Sequence, residues 1–81
     1  MKRINSETDV FRLQGKTLTV LRVTNDLKGG EVAKVLGVTN GYISHCERNR
    51  NRLSEEMTQQ FLDFIGTTLD EAKVFARIIG N

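Results

Sequence analysis

The chain of 81 residues contains no proline, one cysteine and one histidine. A lone cysteine forms no disulfide within the chain, and one cysteine with one histidine is too few for the four ligands of a structural zinc site. No apolar run approaches the roughly 18 residues that cross a bilayer, and the first residues lack the apolar segment of a secretion signal. We therefore expect a cytoplasmic protein without membrane segment, metal or cofactor, stabilised by packing alone.

Length and composition predict one small folded domain. Eighty-one residues are few for two domains, and 38% hydrophobic with 27% charged residues is typical of a folded chain, not of a disordered or collagen-like one. The net charge of +2 conceals an asymmetry, because residues 1–53 carry 10 basic and 5 acidic side chains while residues 54–81 carry 2 and 5. A basic front of this kind favours a polyanionic partner.

Apolar periodicity and capping signals predict five short helices after residue 14, and therefore an all-α fold. Glycine ends the second, fourth and fifth helices, and serine or threonine begins the third, fourth and fifth. The predicted helices run from Gly15 to near Asn25 and Asp26, from between Lys28 and Gly30 to Gly37, from Asn40 to about Arg48 after a Thr39 cap, from Ser54 to Gly66, and from Thr68 to Gly80.

Residues 1–14 form an N-terminal extension without a clear period, and residues 15–81 form the helical domain. In the extension, Ser6 and Asp9 have the spacing of caps for a short helix, whereas Phe11 and Leu13 alternate as in a short strand. The residues alone do not choose between these two alternatives, and they predict no role for the extension.

The second and third helices are separated only by residues 37–39, which is the length of the turn in a helix-turn-helix unit. Asn40 and Gly41 are also a dipeptide typical of a β-hairpin turn. Two features count against the hairpin. The apolar residues from Val32 to Leu36 keep a helical period, and a lone two-stranded ribbon would have no sheet to pack on.

Residues 31–47 read EVAKVLGVTNGYISHCE. This run resembles ELAxxLGVSxxYISxxE, the signature of the Xre family, which includes the lambdoid phage repressors and Cro. The similarity extends over roughly residues 15–79. The resemblance implies a five-helix lambda-repressor-like DNA-binding domain with a helix-turn-helix. It also implies a sequence-specific transcriptional regulator of double-stranded DNA, more specifically a repressor from a phage or other mobile element.

The resemblance further implies which residues contact DNA. Amide and imidazole groups suit adenine and guanine edges, whereas guanidinium groups suit phosphates. The expected base-reading residues on the third helix are Asn40, Gly41, Ser44 and His45. The expected backbone contacts are Lys28, Thr39, Tyr42, Arg48, Arg50 and Arg52. A solvated polar face is the alternative for the third helix, and covering a neighbouring apolar surface is the alternative for Tyr42. In the family core an arginine pairs with a glutamate, which here are Arg22 and Glu47.

Two glycines depart from the family pattern. Gly29 stands where the family has a glutamine that fixes phosphate and the recognition helix, and Gly41 leaves a base-reading position without a side chain. Because glycine costs up to about 1 kcal/mol in a helix, we expect a loose start of the second helix. These departures keep a rival hypothesis open, namely a helix-turn-helix used as a protein-interaction module, such as an antitoxin, antirepressor or immunity component.

No arrangement of residues indicates catalysis. Residues 15–17 imitate the end of a phosphate-binding loop, but Val10 stands where the earlier glycine is required. His45 and Cys46 are adjacent on a predicted helix, so their side chains diverge by roughly 100° and cannot act as base and nucleophile. We expect no enzyme, and we expect Cys46 to be a small buried residue.

The fifth helix has more apolar side chains than one flank of a core needs. A weak homodimer through this C-terminal helix is therefore predicted, because one helix-turn-helix touches too few bases for useful selectivity. The alternative is that Phe75 and Ile79 complete the core of a monomer. The apolar side chains concerned are Val74, Phe75, Ile78 and Ile79.

Overall fold

The computed structural model of the protein describes residues 10–80. Within them it contains five helices and no strand, which confirms the all-α prediction. Asn40 and Gly41, weighed above as a hairpin turn, are the first residues of the third helix. The helices are α1 (Gly15–Thr24), α2 (Gly29–Leu36), α3 (Asn40–Glu47), α4 (Glu55–Ile65) and α5 (Leu69–Ile79).

Hydroxyl groups cap the N-termini of three helices. The side chains of Thr39, Ser54 and Thr68 each accept a hydrogen bond from the backbone N–H three residues later. At α5 the carboxylate of Glu71 also accepts from the backbone N–H of Thr68, which completes a capping box. These caps explain why the starts of α3, α4 and α5 were visible in the sequence.

One apolar core holds the five helices together. Each helix contributes side chains to it, and α5 contributes the fewest, with Ala72 as its one fully buried residue among those described. The helix α3 packs on α1, whereas α2 packs on α3 and on α4. The buried apolar residues are Leu13, Leu18, Leu21, Val32, Ala33, Leu36, Ile43, Cys46, Leu53, Phe61, Leu62 and Ala72.

The segment of residues 10–14 is neither helix nor strand, yet it belongs to the core. Leu13 is fully buried, its backbone N–H donates to the Thr58 hydroxyl over 3.0 Å, and its carbonyl accepts from the Leu53 backbone N–H over 3.0 Å. The predicted caps Ser6 and Asp9 lie outside the described residues. The end of the extension therefore joins α4 and the loop before it to the start of α1.

No helix within residues 10–80 is both long enough and apolar enough to cross a membrane.

Candidate nucleic-acid interface

The turn between α2 and α3 is a tight three-residue connection. Gly37 adopts a left-handed conformation with φ of 71°, and the Val38 backbone N–H donates to the Ala33 carbonyl over 2.9 Å. Glycine suits this position because other residues pay a steric cost at positive φ. Thr39 then caps α3 through Tyr42. The turn therefore fixes the angle between α2 and α3. Ile43 and Cys46 lie on the inner face of α3 and are buried.

The outer face of α3 lies uncovered on the surface. Asn40, Gly41 and His45 are exposed and Ser44 is half-buried. The structure gives the side chains of Asn40, Ser44 and His45 no hydrogen-bonding partner among residues 10–80. All four predicted base-reading residues therefore share one accessible face whose polar groups are free to bind a ligand.

Gly29, the first residue of α2, lies directly against Asn40, the first residue of α3. A Cβ atom built on Gly29 would stand 2.6 Å from Asn40 Oδ1, which is closer than real Cβ atoms approach. The α2 helix begins here in spite of its two glycines, with the Lys28 backbone N–H donating to the Glu31 carboxylate over 2.7 Å. Because Gly29 has no side chain, the Asn40 amide can occupy the space beside the start of α2.

Tyr42 connects α3 to the loop that follows it. Its side chain is half-buried against the core, and its hydroxyl donates to the Arg52 carbonyl over 3.1 Å. Burial raises the pKa of the Tyr42 phenol, with the neighbouring Cys46 adding to the effect. The hydroxyl therefore stays a proton donor at neutral pH and holds the loop. Burial likewise raises the pKa of the Cys46 thiol, which keeps this fully buried residue protonated.

The loop after α3 begins with a Schellman motif. Asn49 occupies the left-handed position with φ of 63°, its N–H donates to the Cys46 carbonyl over 3.2 Å, and the Arg50 N–H donates to the His45 carbonyl over 2.9 Å. This geometry turns the chain sharply at the end of the helix. Arg48 is the C-cap residue just before this turn, and Arg50 and Arg52 lie after it. All three arginines are exposed.

Arg22 on α1 and Glu47 on α3 form a two-pronged ion pair. Arg22 Nε donates to Glu47 Oε2 over 2.6 Å, and Nη2 donates to Oε1 over 3.2 Å. Arg22 Nη1 also donates to the Leu27 carbonyl over 2.9 Å, just before α2. The side chains are only 19% and 16% exposed. The hydrogen bond to Glu47 raises the pKa of the Arg22 guanidinium, so the charged pair fixes α3 against α1.

One residue at this surface was missed by the sequence reasoning. Arg12 donates from Nε to the Leu53 carbonyl over 2.8 Å and from Nη2 to the Arg52 carbonyl over 3.4 Å. The segment before α1 has no periodicity that would place Arg12 beside a loop 40 residues later. Lys28, which the sequence predicts as a backbone contact, is the exposed N-cap residue of α2.

Arg12, Arg50 and Arg52 line an open cleft of about 300 Å³ near the end of α3. Its walls are almost wholly polar and include no carboxylate among the described residues. Nor do residues 10–80 bring together three metal-ligating side chains anywhere on the molecule. The cleft is lined by Arg12, Gln14, Asn49, Arg50, Asn51 and Arg52.

Comparison with known proteins identifies a protein family. Residues 15–75 match the model of a protein family that is described as a helix-turn-helix domain. No curated protein matches the chain, and neither does any solved structure. The matched range begins at the first residue of α1 and ends within α5, so it includes the turn, α3 and the loop of arginines.

Proposed function

Because the chain belongs to this family of helix-turn-helix domains, we propose that it is a sequence-specific DNA-binding transcriptional regulator that places α3 in the major groove. The observation that carries the proposal is the uncovered outer face of α3, where the polar side chains have no partner within residues 10–80. A major groove admits one α-helix and presents donors and acceptors that such side chains can distinguish.

Asn40 and His45 read base edges in this proposal, because both are exposed on the outer face of α3. An amide can form two hydrogen bonds with adenine, and an imidazole N–H can donate to guanine. Ser44 is half-buried and reads from the same face. Gly41 contributes no side chain, so its role is to let the helix approach the bases closely.

Backbone phosphates are bound around this reading face. Arg48, Arg50 and Arg52 offer charged guanidinium groups from the loop after α3, and the Thr39 hydroxyl lies at the N-terminus of α3. Lys28 extends the same surface at the start of α2, and Tyr42 contributes mainly by holding the loop through its hydroxyl. Phosphate contacts of this kind position the helix without reading sequence.

The regulator binds its site as a homodimer in this proposal. On α5, Val74, Phe75 and Ile78 are exposed, and Ile78 is 75% exposed. Contiguous exposed apolar side chains of this kind favour a protein interface. One short helix buries far less than the roughly 1,600 Å² of a standard complex, so the free protein associates weakly and DNA completes the pairing on half-sites about 34 Å apart.

The finer assignment is a cytoplasmic repressor of the Xre type from a phage or other mobile element, without enzymatic activity. It is supported by the resemblance of residues 31–47 to the Xre signature. A second candidate function is a protein-interaction module, such as an antitoxin, antirepressor or immunity component. The exposed apolar side chains of α5 and the missing side chain at Gly41 favour it.

The deciding experiment measures binding to the DNA upstream of the protein's own gene. A labelled duplex of this sequence and a scrambled duplex of equal composition are titrated with protein at two salt concentrations, and binding is followed by mobility shift. We expect tighter binding to the upstream duplex, with a preference that persists when salt weakens both complexes.

Equal, weak binding to both duplexes at both salt concentrations would contradict the proposed function and favour the interaction module. Stoichiometry on the preferred duplex tests the dimer separately. Sedimentation of the complex at saturation should give two protein chains per duplex, and one chain per specific duplex would exclude the dimer.

A further inference from the structure

The N-terminal segment before α1 is tied to the loop after α3 by three hydrogen bonds. The Leu53 backbone N–H donates to the Leu13 carbonyl, and Arg12 donates from Nε and Nη2 to the carbonyls of Leu53 and Arg52. Arg12 is separated from these partners by about 40 residues of sequence. The contact is therefore a tertiary feature that holds the segment and the loop together.

Arg12 thereby stands in one wall of the cleft that Arg50 and Arg52 also line. Three arginines line one opening of about 300 Å³, and Asn49 and Asn51 complete its polar wall. Two of the five N–H groups of Arg12 are used in bonds to the loop, which leaves the others without a partner within residues 10–80.

We infer that Arg12 binds a phosphate group of the DNA backbone, in a cleft that it forms with Arg50 and Arg52. This inference rests on the proposed function, because it assigns the cleft to the same DNA surface. Guanidinium groups match the oxygens of a phosphate through paired hydrogen bonds, and amides add neutral donors. An uncharged ligand would leave three positive charges uncompensated in one cleft.

The connection of the cleft to α3 supports a phosphate at the edge of the groove that α3 enters. The Arg52 carbonyl accepts from the Tyr42 hydroxyl on α3 over 3.1 Å and from Arg12 Nη2 over 3.4 Å. One carbonyl thus joins the reading helix to the wall of the cleft. When α3 enters a groove, the cleft meets the sugar-phosphate strand at the edge of that groove. Arg12 is thus both a phosphate ligand and the residue that aligns Arg52 for the same strand.

The test compares salt dependence among matched variants. Arg12→Gln removes the charge, whereas Arg12→Lys keeps the charge but loses the planar guanidinium with its paired donors. Arg77→Gln removes an exposed charge from α5 as a control. Each protein is titrated into a fluorescent duplex of arbitrary sequence between about 50 and 200 mM KCl, and the slope of log affinity against log salt is measured by anisotropy.

We expect Arg12→Gln to make the slope shallower by about 0.9, the value for one lost phosphate contact, while Arg77→Gln leaves it unchanged. Arg12→Lys should retain the slope. An equal change of slope in Arg12→Gln and Arg77→Gln would show an effect of net charge alone and overturn the inference. Unchanged slopes with equally weakened binding in both Arg12 variants would reduce Arg12 to a structural role and also overturn it.

A second arm separates DNA phosphate from free phosphate. Inorganic phosphate is titrated at constant ionic strength without DNA, and the arginine Nε–H signals are followed by NMR. No saturation below millimolar phosphate is expected, and tight saturation of the Arg12 signal would assign the cleft to a free ligand instead. If the wild-type protein binds no duplex at all, the proposed function itself fails, which is a different result from unchanged binding by Arg12→Gln.

Discussion

α3 and α5 both leave one face uncovered, but the two faces are chemically opposite. The open face of α3 carries Asn40, Ser44 and His45, whereas that of α5 carries Val74 and Ile78. A polar face stays hydrated at no cost, while an apolar face in water loses stabilisation that burial would supply. The face of α3 therefore suits a hydrated, polar partner such as DNA, and the face of α5 suits another apolar surface.

The two helices are also attached differently. α3 is fixed by directional polar contacts to other parts of the chain, among them the Arg22–Glu47 pair and the bond from Tyr42 to Arg52. Within residues 10–80, the side-chain hydrogen bonds of α5 lie in its own first turn. The orientation of α3 thus depends on specific hydrogen bonds, and that of α5 depends on apolar packing.

The largest expected effect comes from breaking the ion pair that orients α3. Arg22→Met should lower the free energy of unfolding by about 3 kcal/mol, at the lower end for a buried pair because the side chains keep some exposure. The cost arises because Glu47 is left as an unpaired, largely buried charge. Urea denaturation measures it.

The control for this prediction replaces both partners. Arg22→Met with Glu47→Leu should cost less than Arg22→Met alone, since no unpaired charge remains. A single variant within about 0.5 kcal/mol of the wild type would contradict the role of the pair.

The second prediction separates base recognition by α3 from phosphate binding by the loop that follows it. Asn40→Ala or His45→Ala should cost about 1 to 3 kcal/mol on the preferred duplex and little on a scrambled one. Arg50→Ala and Arg52→Ala should weaken binding to both duplexes alike and lower the salt slope by about one unit each. Competition titrations with both duplexes measure the difference. Relaxed preference in the arginine variants, with no change in the other two, would refute the docking of α3.

The third prediction concerns the left-handed residue that ends α3. Asn49→Ala should destabilise the protein by about 1 to 2 kcal/mol, because alanine is strained at positive φ. Asn49→Gly should be at least as stable as the wild type. Thermal unfolding of both variants is compared with Asn51→Ala, an exposed change in the same loop. A similar loss in Asn51→Ala would attribute the effect to the amides and not to the conformation.

The smallest effect on stability is expected on α5. Ile78→Gln should change the free energy of unfolding by less than about 0.5 kcal/mol, because the side chain is 75% exposed. It should nevertheless weaken self-association in sedimentation at rising concentration. Lys73→Gln, another exposed change on α5, should leave association unchanged. Equal association in the two variants would contradict the proposal that α5 forms a dimer interface.

Helix positions were predictable because their signals are local. Thr39, Ser54 and Thr68 cap the N-H groups three residues away, and Gly37 and Gly66 end their helices within one turn. Such signals need only neighbouring residues, which a sequence displays directly. The predicted bounds of all five helices were therefore close to those observed.

The contribution of the N-terminal segment was not predictable in the same way. Arg12 and Leu13 form hydrogen bonds with residues about 40 positions away, namely Arg52, Leu53 and Thr58. Neither hydrophobic periodicity nor a capping residue predicts such a contact. The residues on and after α3 were named from the sequence, but which of them line one cleft was not. Their arrangement around one cleft depends on tertiary structure.

The close approach of Gly29 to Asn40 has an evolutionary consequence. A glutamine at position 29 would add more than a phosphate contact, because its Cβ would displace the Asn40 amide from its place 2.6 Å away. The two positions are thus epistatic, and their effects on DNA affinity should not add. A substitution at position 29 moves the Asn40 side chain, so its effect on DNA binding depends on which residue occupies position 40.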